Sequence, residues 1–343
     1  MKIALFSDLH LGVKGDSQEC HTFAAEWIDT FINELKKKNI KNVFFLGDWF
    51  NNRTSICVST LHLTTQILDK FKDFNLYIFS GNHDLFFSQD SSVSSVSIFK
   101  GYPNVKYIDK ITKITMENTD ITLCPWGFNP LDENVENSKY LFGHFEINTF
   151  QMNSSEQLCE NGLKLSDLFK KFNMIFSGHF HKAQKRVYGV GTVQYVGNPF
   201  QINYGEGEDE KGYIILNLET DKYNFVYNHI SPKFIKLSLS QLITISPSEI
   251  KDKIYNNYLR LSVDKNITVE DMDELIKLLS SCKPRECNID WDNNNFSSNV
   301  KTNTDYSAIE LITALKEYVN LIDIDNPKEI ISYLATKYKE ASE

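Results

Sequence analysis

Seven side chains of metal-binding type, Asp8, His10, Asp48, Asn82, His144, His179 and His181, stand at the ends of five apolar runs. The runs read IALFSDLH (Ile3–His10), VFFLGDWFN (Val43–Asn51), LYIFSGNHD (Leu76–Asp84), YLFGHFE (Tyr140–Glu146) and MIFSGHFH (Met174–His181). In order the chemistry is D-x-H, G-D, G-N-H-D, G-H and G-H-x-H, with His83 left over as a histidine that need not ligate. Two Asp, one Asn and four His can hold two divalent cations side by side, as in-line phosphoester hydrolysis requires.

Such residues need rigid elements behind them. Lys2–Ser7, Asn42–Gly47 and Asn75–Ser80 read as buried parallel strands, with helical spacing between them at Phe23, Trp27, Phe31 and Leu35 and again at Leu61, Leu68 and Phe71. Asp16 or Ser17 is the expected cap of the first helix. Every ligand run then ends at the carboxyl end of a strand, where open α/β sheets place their sites. Asp8 and His10, two residues apart, are expected on one face of an extended chain, as are His179 and His181. Gly47, Gly81, Gly143 and Gly178 precede ligands and are expected to let the chain turn.

From Val105 the pattern turns β-rich, with strands expected at Val105–Ile108, Thr112–Thr115, Asp120–Cys124, Lys139–Gly143, Met174–Ser177, Val193–Gly197, Lys211–Leu218 and Tyr223–His229. Alternation first and paired strands later predict an α/β fold of two sheets packed face to face with helices outside. Composition shifts after Ser231-Pro232. Residues 233–291 carry a strand at Tyr258–Val263 and a helix at Val269–Ser281, without clustered ligand types. Residues 292–304 (DNNNFSSNVKTNT) read as a linker. Two amphipathic helices are expected in 305–343, the second started by Pro327.

Apolar content of 41% suits a packed core, and no run approaches the roughly 20 apolar residues of a membrane span. No signal peptide is read at the start, and six scattered Cys are expected as reduced thiols, which together predict a cytoplasmic protein. Net charge is −9, against the basic balance usual for electrostatic DNA binding. Two divalent cations would supply four positive charges where phosphate must sit, so DNA remains a possible substrate.

The ordered motifs from Asp8 to His181 resemble those of the calcineurin-like metallophosphoesterases, and within them the SbcD-type nucleases of double-strand-break processing, those of large bacteriophages included. A weaker likeness continues through Gly197-Asn198-Pro199 and Tyr204–Tyr213. The resemblance implies a four-layer α-β-β-α sandwich over 1–232, a small α+β capping domain over 233–291 and a C-terminal helical hairpin. It implies that Asp8, His10 and His181 hold one metal, that Asn82, His144 and His179 hold the other, and that Asp48 bridges both. Imidazole, carboxylate and amide donors without thiolate fit two Mn2+, with Mg2+, Fe2+ or Zn2+ as alternatives. His83 would protonate the leaving group and Asp84 would orient His83. The same likeness implies a homodimer and docking of 305–343 on an SbcC-type coiled-coil ATPase.

Asn51 stands where some relatives have His and others Asp. It can donate a hydrogen bond but carries no charge, which bears on the balance of exonuclease and endonuclease action. Arg53, Lys182, Lys185 and Arg186 are candidate DNA contacts. A small-substrate phosphodiesterase or phosphatase on the same scaffold is the main competing reading. The serine/threonine phosphatases usually read G-D-x-V-D-R-G, and this chain reads Gly47-Asp48-Trp49-Phe50-Asn51. A non-catalytic scaffold is the other alternative; burying an intact, unused ligand set would be costly.

Overall fold

The computed structural model describes residues 1–291 except 88–89, 153–156, 208 and 266. The chain divides into units Met1–Asn295 and Phe296–Glu343, and all described residues belong to the first. The predicted linker 292–304 and helical hairpin 305–343 lie outside the described residues.

Continuous apolar runs become central strands. β1 (Lys2–Phe6), β2 (Asn42–Phe45) and β3 (Asn75–Phe79) are followed by a hairpin, β4 (Leu85–Phe87) and β5 (Asp90–Ser94), and then β6 (Val105–Ile108). β7 (Thr112–Met116), β8 (Thr119–Cys124), β9 (Ser138–His144) and β10 (Phe172–Gly178) begin the second sheet. β11 (Gln184–Tyr188) and β12 (Gly191–Tyr195) complete it, and β13 (Gly212–Asn217) and β14 (Tyr223–Tyr227) return to the first.

Among the described residues two six-stranded sheets form, ordered β14-β13-β1-β2-β3-β6 and β11-β12-β10-β9-β8-β7. In the first, β1, β2, β3 and β6 run parallel and β13 and β14 are antiparallel to their neighbours. In the second, β8, β9, β10 and β12 run parallel, with β7 and β11 as antiparallel edges. The ligand-bearing strands β1, β2, β3, β9 and β10 are thus all interior strands of their sheets, each with at least one parallel neighbour.

Ile3, Leu5, Phe44, Leu46 and Phe79 of one sheet meet Ile121, Leu123, Tyr140, Phe142 and Phe176 of the other in the layer between them. Outside the first sheet lie the helices Gln18–Lys37 and Val58–Lys70, with Phe6 against Trp27 and Phe31 at centroid distances of 5.9 and 5.1 Å. The layer outside the second sheet is thin, and its helix is the single turn Leu165–Leu168, packed with Phe145, Phe150 and Phe172. The order α-β-β-α holds, but the second helical layer is mostly loop.

A three-stranded parallel sheet follows, β15 (Phe234–Ser238), β16 (Tyr258–Val263) and β17 (Glu286–Trp291), in that order. Helices Pro247–Ile254 and Val269–Ser281 cover it, each opened by a capping box, Ser246 with Glu249 and Thr268 with Asp271. Phe234 stacks on Tyr258 at 4.3 Å, and the Lys14 ammonium lies 4.2 Å from the Tyr258 ring centre and 3.2 Å from Glu286.

One local expectation needs correction. The first long helix starts at Gln18 without a side-chain cap. Asp16 instead turns at φ 60° and accepts from the Thr60 hydroxyl. Among the described residues no helix is long and apolar enough to cross a membrane.

Candidate metal centre

Past the regular strands, the β1–β2 pairing continues through backbone bonds. Asp8 N–H donates to the Gly47 carbonyl (2.9 Å) and His10 N–H to that of Asp48 (3.1 Å). The chain here is not extended, contrary to the expectation from spacing. Asp8, His10 and Asp48 have φ of 55°, 45° and 62°, and His179 has 93°. These left-handed residues bend the ligands over the strand ends, at a cost of roughly 1–3 kcal/mol each. Gly47 turns likewise at φ 95°. Gly178 serves differently: its φ is not positive, but a Cβ there would run into Ser7 Oγ and the Leu46 carbonyl, because the two sheets approach closely at this edge.

The turns bring three groups together, Asp8–His10–His181, His10–Asp48–His83 and Asp48–His144–His179, with the ligand atoms of each group within 4.8 Å of one another. Asp48 Oδ2 lies 3.6 Å from His10 Nε2 and 3.4 Å from His144 Nε2. Asn82 Oδ1 lies 2.9 Å from His179 Nδ1 and 3.1 Å from His144 Nε2. His179 N–H donates to the Asp8 carboxylate at 3.1 Å, tying the two sheets across the site.

Three of the ligand rings are aimed by their outer nitrogens. His144 Nδ1–H points to the Leu46 carbonyl at 2.7 Å, which leaves Nε2 facing inward. His181 Nδ1 lies 2.8 Å from Glu206 Oε1, and His179 Nε2 lies 3.3 Å from Glu146 Oε1. His179 thus presents Nδ1 and His181 presents Nε2 to the centre. Trp126 supports the His179 ring at 4.9 Å.

Electrostatics follow from burial. Asp8, Asp48, His10 and His144 are at most 2% exposed. Burial raises the Asp48 carboxyl, but His144, His10 and His83 outweigh it and hold Asp48 well below the usual carboxylate range. Burial pulls His144 down, yet the Asp48 charge prevails and lifts it to about 9. Burial and His181 together push His10 well below its ordinary value.

This donor set fits divalent cations. His10 and His181 bring their Nε2 atoms to 2.9 Å, and His10 Nδ1 is buried without a hydrogen-bond partner. His181 Nδ1 is turned to Glu206, so its Nε2 lone pair faces His10 Nε2, and a cation between the two nitrogens would engage both. The donors are imidazole, carboxylate and amide oxygen, which suit Mn2+, Fe2+ or Zn2+. No cysteine joins a candidate cluster among the described residues.

Two facing sheets with such a centre at their common edge define a metallophosphoesterase. Residues 1–183 match the calcineurin-like phosphoesterase family, and the chain belongs to it. Exonuclease subunit 1 of Enterobacteria phage T4 is 27% identical over 362 residues, spanning 100% of both chains. The DNA double-strand break repair protein Mre11 of Sulfolobus acidocaldarius is 24% identical over 254 residues, 67% of this chain and 64% of that protein. A solved archaeal phosphodiesterase covers 66% of this chain and 100% of its own at TM-score 0.38 and 13% identity.

The structure corrects the expected role of Asp84. His83 Nδ1 sits 2.7 Å from the Asn51 carbonyl, so the backbone orients that ring. Asp84 accepts backbone N–H groups of Asp48, Trp49, Phe50 and Gly81 at 2.8–3.2 Å. Asn82–Asp84 form a 3-10 turn, in which successive side chains point about 120° apart, so Asp84 faces inward. The left-handed turn at Asp48 leaves several N–H groups that need a buried acceptor.

Among the candidate DNA contacts, Arg53 is partly exposed. Lys182 donates to Gln151 Oε1 at 2.7 Å. Lys185 lies over Tyr223 (5.3 Å) and Arg186 over Phe150 (5.7 Å). Adjacent residues of the edge strand β11 point to opposite faces, so Lys185 and Arg186 do not line one surface together. Sequence reasoning missed Glu206 and Glu146 as partners of ligand histidines. Glu206 lay in the acidic-glycine stretch Tyr204–Tyr213, a signal that located the turn without assigning the carboxylate.

Proposed function

We propose that this chain is the nuclease subunit of a DNA end-processing enzyme, cutting phosphodiester bonds with two divalent cations, Mn2+ foremost. One observation carries the reading most: Asp48 stands between the two donor groups, within 3.6 Å of a histidine nitrogen of each. Full-length similarity to a phage exonuclease subunit and partial similarity to Mre11 support DNA as the substrate.

Asp8, His10 and His181 would hold one cation, Asn82, His144 and His179 the other, with Asp48 shared. When bound, they would make a water acidic enough to lose its proton near neutral pH and neutralise charge on the phosphoryl oxygens. His83, fixed through Nδ1 on the Asn51 carbonyl, offers Nε2 to the leaving oxygen. With Nδ1–H donated to the Asn51 carbonyl, Nε2 is the nitrogen left to pass a proton to the leaving oxygen. Asp84 holds the Asp48–Phe50 turn, so its part is to place Asp48 rather than to move a proton.

The name of the phage relative describes a subunit, which supports a partner. Docking of 305–343 on an SbcC-type ATPase, a capping role for 233–291 and a homodimer belong to this reading. Digestion of end-labelled linear DNA beside a generic phosphodiester, with and without Mn2+, tests it. Cation-dependent cleavage of DNA in clear preference is expected. Hydrolysis of the small ester alone would point to the phosphodiesterase alternative.

A further inference from the structure

His179 and His181 are backed by carboxylates of unlike surroundings. Glu146 is 40% exposed at its side chain, whereas Glu206 is 6% exposed. Glu206 sits in a tight turn at Tyr204–Glu206 that Asn203 caps through its side chain. Oε1 faces His181 Nδ1 at 2.8 Å and accepts from Asn203 Nδ2 at 3.0 Å. Oε2 accepts from Asn198 Nδ2 (2.9 Å), Ile202 N–H (3.2 Å) and the Lys211 ammonium (3.1 Å). Lys211, itself buried, also donates to the His181 carbonyl at 2.9 Å and to Asn198 Oδ1. One buried ion pair therefore grips His181 at both its ring and its backbone.

We propose that Glu206, clamped by Lys211 and Asn198, is the positioning residue that keeps His181 protonated at Nδ1 and thereby controls cation occupancy at Asp8–His10–His181. The inference rests on the two-cation reading above. Oε2 meets three donors, the Lys211 ammonium among them, whereas Oε1 meets the Asn203 amide beside His181, so the stronger demand for an acceptor is on the Oε2 side. In Glu206→Gln the amide oxygen is drawn to that side and the NH2 group is turned against His181 Nδ1. A ring facing a donor must offer Nδ1 as a lone pair and carry its proton on Nε2, the nitrogen that should ligate. Partners of this kind typically change metal affinity by about 10–100-fold. The site of Asn82, His144 and His179 contains no atom bonded to Glu206 and keeps its own backing from Leu46 and Glu146.

The test combines calorimetric Mn2+ titration with nitrogen-15 NMR of the histidine rings, on the full chain. Wild type is expected to bind two Mn2+ and, metal-free, to show His181 protonated at Nδ1. Glu206→Gln is expected to weaken one binding event about 10–100-fold, leave the other unchanged and move the His181 proton to Nε2. Two unchanged binding events in that variant overturn the inference alone, as does wild-type His181 protonated at Nε2, a measurement that needs no variant. A wild type that binds no Mn2+ overturns the underlying metal reading instead, and this inference with it.

Discussion

The sandwich and the three-stranded sheet after it follow the same packing rules but bury different things. In the sandwich Asp8, Asp48, Asp84, His144, Glu206 and Lys211 are all under 9% exposed. From Phe234 onward every buried described residue is apolar, with Leu237, Leu259, Leu261 and Leu279 among them. Buried charge is costly unless it is paired and hydrogen-bonded. A region that carries that cost, at one edge and in left-handed backbone, is where chemistry is done; a region that carries none is built for stability and contact.

The widest separation is expected between Asp48→Asn and Leu261→Ala. Asp48→Asn should abolish cation-dependent cleavage while its circular dichroism stays that of the wild type. Loss of fold in that variant would break the contrast. His83→Ala should cost about 10²–10⁴-fold in turnover with both cations retained, which metal analysis of the purified variant would check. Leu261→Ala should lower unfolding free energy by about 2–5 kcal/mol, with cleavage per folded molecule unchanged. Denaturant titration beside a nuclease assay measures both.

pH sharpens the contrast further. His144 is lifted by Asp48 to about 9 in the metal-free protein, above its ordinary value of 6.5. A raised histidine stabilises the fold fully below the unfolded value and loses that contribution as pH climbs through the folded one. Metal-free melting temperature should therefore fall between about pH 6.5 and 9, and the fall should shrink in Asp48→Asn. An equal fall in both proteins would place its source elsewhere. The smallest effect is expected at the seam. Lys14→Ala removes a cation from the Phe234 and Tyr258 rings and should cost about 0.5–1 kcal/mol without changing cation binding.

The ligand edge was legible because its strands are buried on both faces and end in runs of unusual polar types. Parallel strands from Lys2 to Phe79 followed from continuous apolar sequence, as did the helix over Phe23, Trp27, Phe31 and Leu35. What escaped was held by contacts distant in sequence. Asp84 is 36 residues from the Asp48 N–H it accepts, and Glu206 is 25 from His181. The family resemblance implied that Asp84 serves His83, whereas its carboxylate is taken up by the buried N–H groups of the Asp48 turn. Edge strand β11 and strands β15 and β17 are partly polar, so neither a continuous apolar run nor clean alternation marked them.

On the proposed function, the strand-end donors hold two cations with Asp48 between them. Anomalous scattering from crystals grown with Mn2+ tests it directly. Two peaks are expected, one beside Asp8, His10 and His181 and one beside Asn82, His144 and His179, with the Asp48 carboxylate touching both. A single peak, or two peaks with Asp48 bound to only one, would contradict it.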